Sequence, residues 1–401
     1  MRPALVCSLH GVALTLSLGA CTPAPFDVLL RGGRVLDGTG APATVADVGI
    51  RDGRIVEIGD LGTRTAADTV DATGQVVAPG FIDPHTRGRE KLRDIPTADN
   101  LIRQGITTIV DGNDGSSPLP VGAFLDSLAQ WDVAPNVALL VGHGGVRRQV
   151  MGTASRPATP DELAAMEALV RQAMAEGAVG LSSGLFYVPG SFAPTEELVA
   201  LARVAYAVGG IYSSHMRNED DSVLAAVTET IRIGRETGIP VLISHHKVGG
   251  RRNYGRTVQS LALMREARDA GRGTRDAGVT VAFDQYHYTA SHTSIASIIP
   301  AWARAEDGLE GNLARAATRQ RMLAEMQAFV TMRLSNDPSK IQLARCGFDA
   351  ALAGPTLADV LSAPRRLRPL FSSSSAAVAA VPSSTLSTRA TWSGCWPRRT
   401  A

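Results

Sequence analysis

An alternation that begins near residue 80 narrows the fold more than any other feature of this sequence. Short apolar runs are followed by loops and then by helix-like stretches. Seven such runs can be read: Gly80-Phe81-Ile82-Asp83, Thr107 to Val110, Val137 to Val141, Val179 to Leu181, Gly210 to Ser213, Val241 to Ser244 and Val281 to Asp284. Short runs without in–out alternation are expected of strands buried on both faces. Between them, Thr159 is placed to N-cap a helix, with Pro160 in its first turn and Asp161 and Glu162 at its N-terminus. Thr195 to Val208 and Ser222 to Thr237 read as further helices. Strand, loop and helix repeated in this order predict an α/β fold, a (β/α) TIM-like barrel over residues 81–299. Seven strands can be found and not eight, so the barrel is expected to lack its eighth strand.

The flanks read differently. Residues 26–80 carry short β-rich runs punctuated by Gly32-Gly33, Asp52-Gly53 and Thr73-Gly74, which predicts a small β-sandwich. Residues 300–363 read as a mainly helical insertion, clearest from Thr318 to Leu334. After Asp359 no Asp or Glu occurs, and Ser372 to Ser375 lead into a stretch without apolar periodicity. Residues 364–401 are expected to be either a disordered tail or an out-of-frame one. The lack of both Glu and Lys there favours the second.

At the other end, Arg2 and the apolar run from Val12 to Leu18 read as a signal peptide over residues 1–21, too short to span a bilayer. Leu18-Gly19-Ala20-Cys21 resembles a bacterial lipobox. The expectation is export, to the periplasm or as a membrane-anchored lipoprotein held through a lipid on Cys21. Plain secretion is the alternative. The net charge is +2 with the signs scattered, so no basic stripe marks a nucleic-acid partner. The four cysteines, Cys7, Cys21, Cys346 and Cys395, show no metal-ligand or disulfide-framework spacing.

Active sites of such barrels form at the strand ends. His85, His215 and His245 each follow an expected strand, with His246 and Lys247 directly after the last. Imidazole is the commonest metal ligand near neutral pH. A lone histidine of this kind is more often structural, but three at strand ends on one barrel face point to a metal.

Specific motifs extend that reading. Val77 to His85 resembles the first barrel strand of metal-dependent amidohydrolases. Ser183 to Tyr187, Ser214 to Glu219, Ile243 to Val248 and Ala344 to Asp349 resemble the D-aminoacylases, the N-acyl-D-amino-acid deacylases of that superfamily. The resemblance runs from about residue 26 to about residue 363. It implies that His215 and His245 hold zinc (Zn2+) and that His85 belongs to the same centre. It also implies that Lys247, Tyr187 and Tyr286 contact the substrate, a small N-acyl-D-amino acid whose amide bond is hydrolysed.

Three departures accompany the resemblance. The family's Gly-Asn-Cys-Gly is here Gly112-Asn113-Asp114-Gly115, so Asp114 stands where a thiolate ligand is usual. A carboxylate can ligate zinc, and a plain turn aspartate is the other reading. The family's His-x-His is here His85-Thr86-Arg87, and a guanidinium has no lone pair for a metal. Arg87 could meet an acidic substrate group or pair with a carboxylate, and a solvated or ion-paired structural role is the plainer reading. The aspartate that ends the family's eighth strand, its general base, has no matching segment after Asp359, and neither Asp284 nor Asp349 follows the right strand. The catalytic base is thus unassigned, and impaired activity is expected. The alternatives are a dihydropyrimidinase-like or dipeptidase-like amidohydrolase, or a non-catalytic remnant.

Overall fold

The computed structural model describes residues 25–270, 278–305, 308–334, 337–346, 350–362 and 390–393. The expected signal peptide with Cys7 and Cys21, the residue Asp349, and the expected tail apart from residues 390–393 lie outside the described residues. The chain divides into two compact units, Met1–Gly80 and Phe81–Ala401.

In the first unit, β1 (Phe26–Val35) pairs antiparallel with β2 (Thr44–Arg51), which pairs antiparallel with β3 (Arg54–Gly59). On the other side, β4 (Ala66–Asp71) and β5 (Val76–Val77) run parallel to β1. Asp52 and Gly53 both have positive φ, the backbone of a two-residue hairpin turn whose twist matches the strands it joins. Phe26, Leu29 and Leu61 form the small core, while Ile55, Val56 and Ile58 of β3 are exposed. Of the expected sandwich, the described residues form one layer, because every pairing passes through β1 and β2.

The second unit contains all seven expected barrel strands. They are β6 (Phe81–Asp83), β7 (Ile106–Asp111), β8 (Asn136–Gly142), β9 (Gly180–Gly184), β10 (Ile211–His215), β11 (Val241–Ile243) and β12 (Val281–Phe283). They lie side by side in chain order, every adjacent pair parallel, in one curled sheet. Helices cover the strands between them. Leu139, Val141, Leu181, Tyr212 and Ile243 are fully buried, against Met166, Val170, Leu198, Leu201 and Val227 from the helices. At about 1.5–3 kcal/mol for each large aliphatic side chain removed from water, this core is the main source of stability. The helix Pro160–Ala175 starts as its sequence requires: Thr159 and Glu162 close a reciprocal capping box, with Pro160 in the first turn.

The segment expected to be a helical insertion contains the helices Gly308–Ala314, Ala316–Leu334 and Leu357–Ser362. It also contains a strand that was not expected, β14 (Ile341–Arg345). Ile341 and Leu343 are buried while Gln342 is exposed, the period of two that a half-buried strand needs. Within the segment expected to be a tail, Ala390–Ser393 is a strand, β15, lying between β14 and β13 (His292–Thr293).

Candidate metal centre

Parallel strands place their C-terminal ends on one side of the sheet, and the sequence-predicted histidines collect there. His215 is the last residue of β10, and His85 and His245 each lie two residues beyond a strand, β6 and β11. Asp114 lies three residues beyond β7, in a left-handed turn at φ 58°. That turn must lie very close to β9. A Cβ on Gly115 would come within 2.7 Å of the Gly184 backbone nitrogen, and one on Gly184 would collide with the Asp114 carbonyl. Glycine at both places is what lets Asp114 approach.

Three donor atoms meet. His245 Nε2 is 2.8 Å from His215 Nδ1, and Asp114 Oδ1 is 3.2 Å from His215 Nδ1 and 3.4 Å from His245 Nε2. The other Asp114 oxygen, Oδ2, pairs with Arg87 and faces His85 Nε2 at 3.4 Å. A four-coordinate zinc with bonds of about 2.0–2.1 Å holds its ligand atoms about 3.3 Å apart, close to the 3.2 and 3.4 Å edges from Asp114, while the edge between the two imidazoles is shorter at 2.8 Å.

A second set of groups surrounds the first. Glu219 Oε1 lies 2.8 Å from His245 Nδ1 and accepts a hydrogen bond from Lys247 Nζ at 2.7 Å. Asp284, the residue after β12, accepts the His245 backbone N–H at 2.7 Å and stands 3.3 Å from His85 Nδ1. Arg333 approaches Asp220 at 3.2 Å and Glu219 at 3.7 Å. Tyr187 sets its ring 4.7 Å from that of His215, with its hydroxyl 3.2 Å from Thr293 Oγ1. Tyr286 stands further out, its ring 5.6 Å from Lys247 Nζ. His246 points elsewhere, its Nε2 3.0 Å from Ser260 Oγ. A cavity of about 570 Å³ opens beside the donors, lined by Lys247, Tyr254, Tyr286, Phe329 and Arg333 among others.

Protonation follows from this packing. Burial pushes the Asp114 carboxyl up, but hydrogen bonds from His215, His245 and His85 outweigh it and hold it well below the carboxylate range. Glu219 is likewise pushed up by burial and held well below its usual value by Lys247 and His245. Burial lowers His85, yet Asp114 and Asp284 on its two ring nitrogens raise it to about 9. Burial and the neighbouring His245 lower His215. Tyr286 is pushed up to about 12 by burial and by Glu219, so it stays a neutral phenol.

Sequence reasoning assigned no role to Glu219, Asp284 or Arg333. Glu219 sits inside the Ser214-to-Glu219 motif, and its place four residues after His215 was the available signal.

The profile of the amidohydrolase family matches residues 68–329. The chain belongs to the amidohydrolase family. Within it, the chain is 42% identical over 294 residues to D-aminoacylase from Alcaligenes xylosoxydans xylosoxydans, covering 68% of this chain and 59% of that enzyme. The crystal structure of N-acyl-D-glutamate deacylase from Bordetella bronchiseptica, complexed with zinc and a phosphonate mimic of the tetrahedral intermediate, matches with a TM-score of 0.63 and 40% identity. That match covers 67% of this chain and 60% of that one. A D-aminoacylase structure concerned with a binuclear metal centre, its one-metal activation and second-metal attenuation, matches at 0.61 and 41%, over 67% and 60%. The chain thus spans about three-fifths of the length of these relatives.

Proposed function

We propose that this chain binds zinc through His215, His245 and Asp114 and hydrolyses the amide bond of N-acyl-D-amino acids. The observation that carries the reading is the triangle of His215 Nδ1, His245 Nε2 and Asp114 Oδ1, with edges of 2.8–3.4 Å. The deacylase relatives, one of them complexed with zinc, support it. Zinc held there would polarise the amide carbonyl and activate water as a nucleophile at neutral pH.

The chain's own residues supply the rest. Glu219 would accept a hydrogen bond from a proton on His245 Nδ1, which would leave Nε2 as the lone-pair donor. Lys247 donates to Glu219 and to the His245 carbonyl, and its Nζ also stands 3.0 Å from His245 Nδ1. Its ammonium charge suits the free carboxylate of the substrate. Burial and the Asp114 charge raise the pKa of Tyr187, so its hydroxyl stays protonated and can donate to the scissile carbonyl. Tyr286 borders the cavity on the Lys247 side, a place for the acyl or amino-acid side chain.

The base is the weak part of this constellation. Asp284 is committed to the His245 N–H and to His85, and no other described carboxylate takes the place of the aspartate that the resemblance implies. A missing general base costs about 10²–10⁴-fold in rate, so turnover by this chain is expected to be low. Export and lipid anchoring at Cys21 remain part of the proposal, resting on Leu18 to Cys21. A diacylglyceryl mass on the mature N-terminus would support anchoring, and an N-terminus at Met1 would refute it.

The test uses the zinc-loaded chain with N-acetyl-D-methionine and its L-isomer. Slow release of free amino acid from the D-isomer alone, lost in His245→Ala, is expected. Equal rates for the two isomers, or release unaffected by His245→Ala, would refute the proposal.

A further inference from the structure

We infer that Arg87 limits this centre to a single divalent cation, by placing its guanidinium on the Asp114 oxygen through which that carboxylate would otherwise bridge to a second ion. The inference rests on the reading of the cluster as a metal site. It goes beyond that reading by assigning the number of ions and the residue that sets it.

The geometry divides the two oxygens of Asp114 between two tasks. Oδ1 faces His215 Nδ1 and His245 Nε2. Oδ2 is turned away from them, onto Arg87 Nη2 and toward His85 Nε2. A bridging carboxylate needs both oxygens free for cations. Here one is taken by a group that is always charged and has no lone pair to offer. His85 is the nearest remaining donor for a second ion, and each of its ring nitrogens already faces a carboxylate, Asp114 at 3.4 Å and Asp284 at 3.3 Å.

Charge compensation points the same way. Arg87 and Lys247 already pair with Asp114 and Glu219, and Asp284 lies against His85. Each divalent ion adds two positive charges where the Asp114 and Glu219 side chains are 8% and 6% exposed, and a second finds no unpaired carboxylate among these three to offset it. Arg87 therefore stands in for a second ion. It neutralises Asp114 and fixes its orientation, so that Oδ1 alone is presented to the histidines.

The experiment counts ions. The full chain, stripped of metal, is titrated with Zn2+ by calorimetry, and the bound zinc is measured by elemental analysis after gel filtration. One equivalent is expected for the wild-type chain. One is also expected for Arg87→Lys, which keeps a cation at the carboxylate. Two are expected for Arg87→His, which removes the permanent charge and adds an imidazole close to His85. With Mn2+ in place of zinc, only Arg87→His should give a spin-coupled resonance spectrum. Two equivalents in the wild-type chain would overturn the inference, as would one equivalent in an Arg87→His variant whose circular dichroism matches wild type. If Arg87→His does not fold, the wild-type and Arg87→Lys counts decide the matter. Wild-type chain that takes up no zinc would overturn the metal reading itself, and this inference with it.

Discussion

Glu219 Oε1 stands 2.8 Å from His245 Nδ1, on the opposite side of the ring from the nitrogen that meets His215. A proton on Nδ1 would be held there by that carboxylate, which would leave Nε2 available as a donor. Partners of this kind raise ligand basicity and fix ring orientation, and losing one typically costs about 10–100-fold in metal affinity. Glu219→Gln should weaken zinc binding by about that factor in a competition titration against a chelator, with the unfolding midpoint of the metal-free chain close to wild type. Unchanged affinity would mean that His245 is oriented by its packing alone.

Away from the site, Glu197 bridges two buried groups, His143 Nε2 at 2.8 Å and the guanidinium of the fully buried Arg147. Glu197→Gln leaves that guanidinium without a counter-charge and should cost about 3–5 kcal/mol in chemical unfolding. The effect should depend on pH. Burial raises the Glu197 pKa, but His143 and Arg147 outweigh it and hold it below the ordinary 4.5. A carboxylate with a depressed folded-state pKa contributes stability that is present above its unfolded value and lost as pH falls through the folded one. The gap between wild type and Glu197→Gln should therefore be full near neutrality and shrink below 4.5. A gap that stays constant into the acid range would contradict this.

Gly184 holds β9 against the Asp114 turn, and the collision of an added Cβ there is with backbone that has nowhere flexible to go. Gly184→Ala should shift the turn and lose about 1–3 kcal/mol of stability, the usual cost of overpacking a tight site. Thermal unfolding with and without zinc is the check. A loss of zinc-induced stabilisation is expected along with the lower midpoint, and an unchanged zinc response would show that Asp114 is not placed by this contact.

Much of this architecture could be read from the sequence, for identifiable reasons. The seven barrel strands were legible because burial on both faces makes each a short continuous apolar run, as in Leu139-Leu140-Val141. Thr159 and Glu162 announced their helix because a capping box is local chemistry. His215 and His245 could be picked out because strand ends are positions in the sequence. What could not be read was tertiary. Arg87 and Asp114 lie 27 residues apart, and nothing local to either indicates that the two departures from the family pattern pair with each other. Asp284 reaches His85 across 199 residues. β14 escaped notice because its alternation, buried at Ile341 and Leu343 only, is too short to stand out in a helix-rich stretch.

His215 and His245 are proposed to hold the metal. The most direct test is zinc per chain, by elemental analysis, in the wild-type protein and in His215→Ala and His245→Ala purified in parallel. Close to one equivalent in the wild type, falling to near zero in both variants while their circular dichroism is retained, is the predicted result. Undiminished zinc in both variants would mean that the metal is held elsewhere.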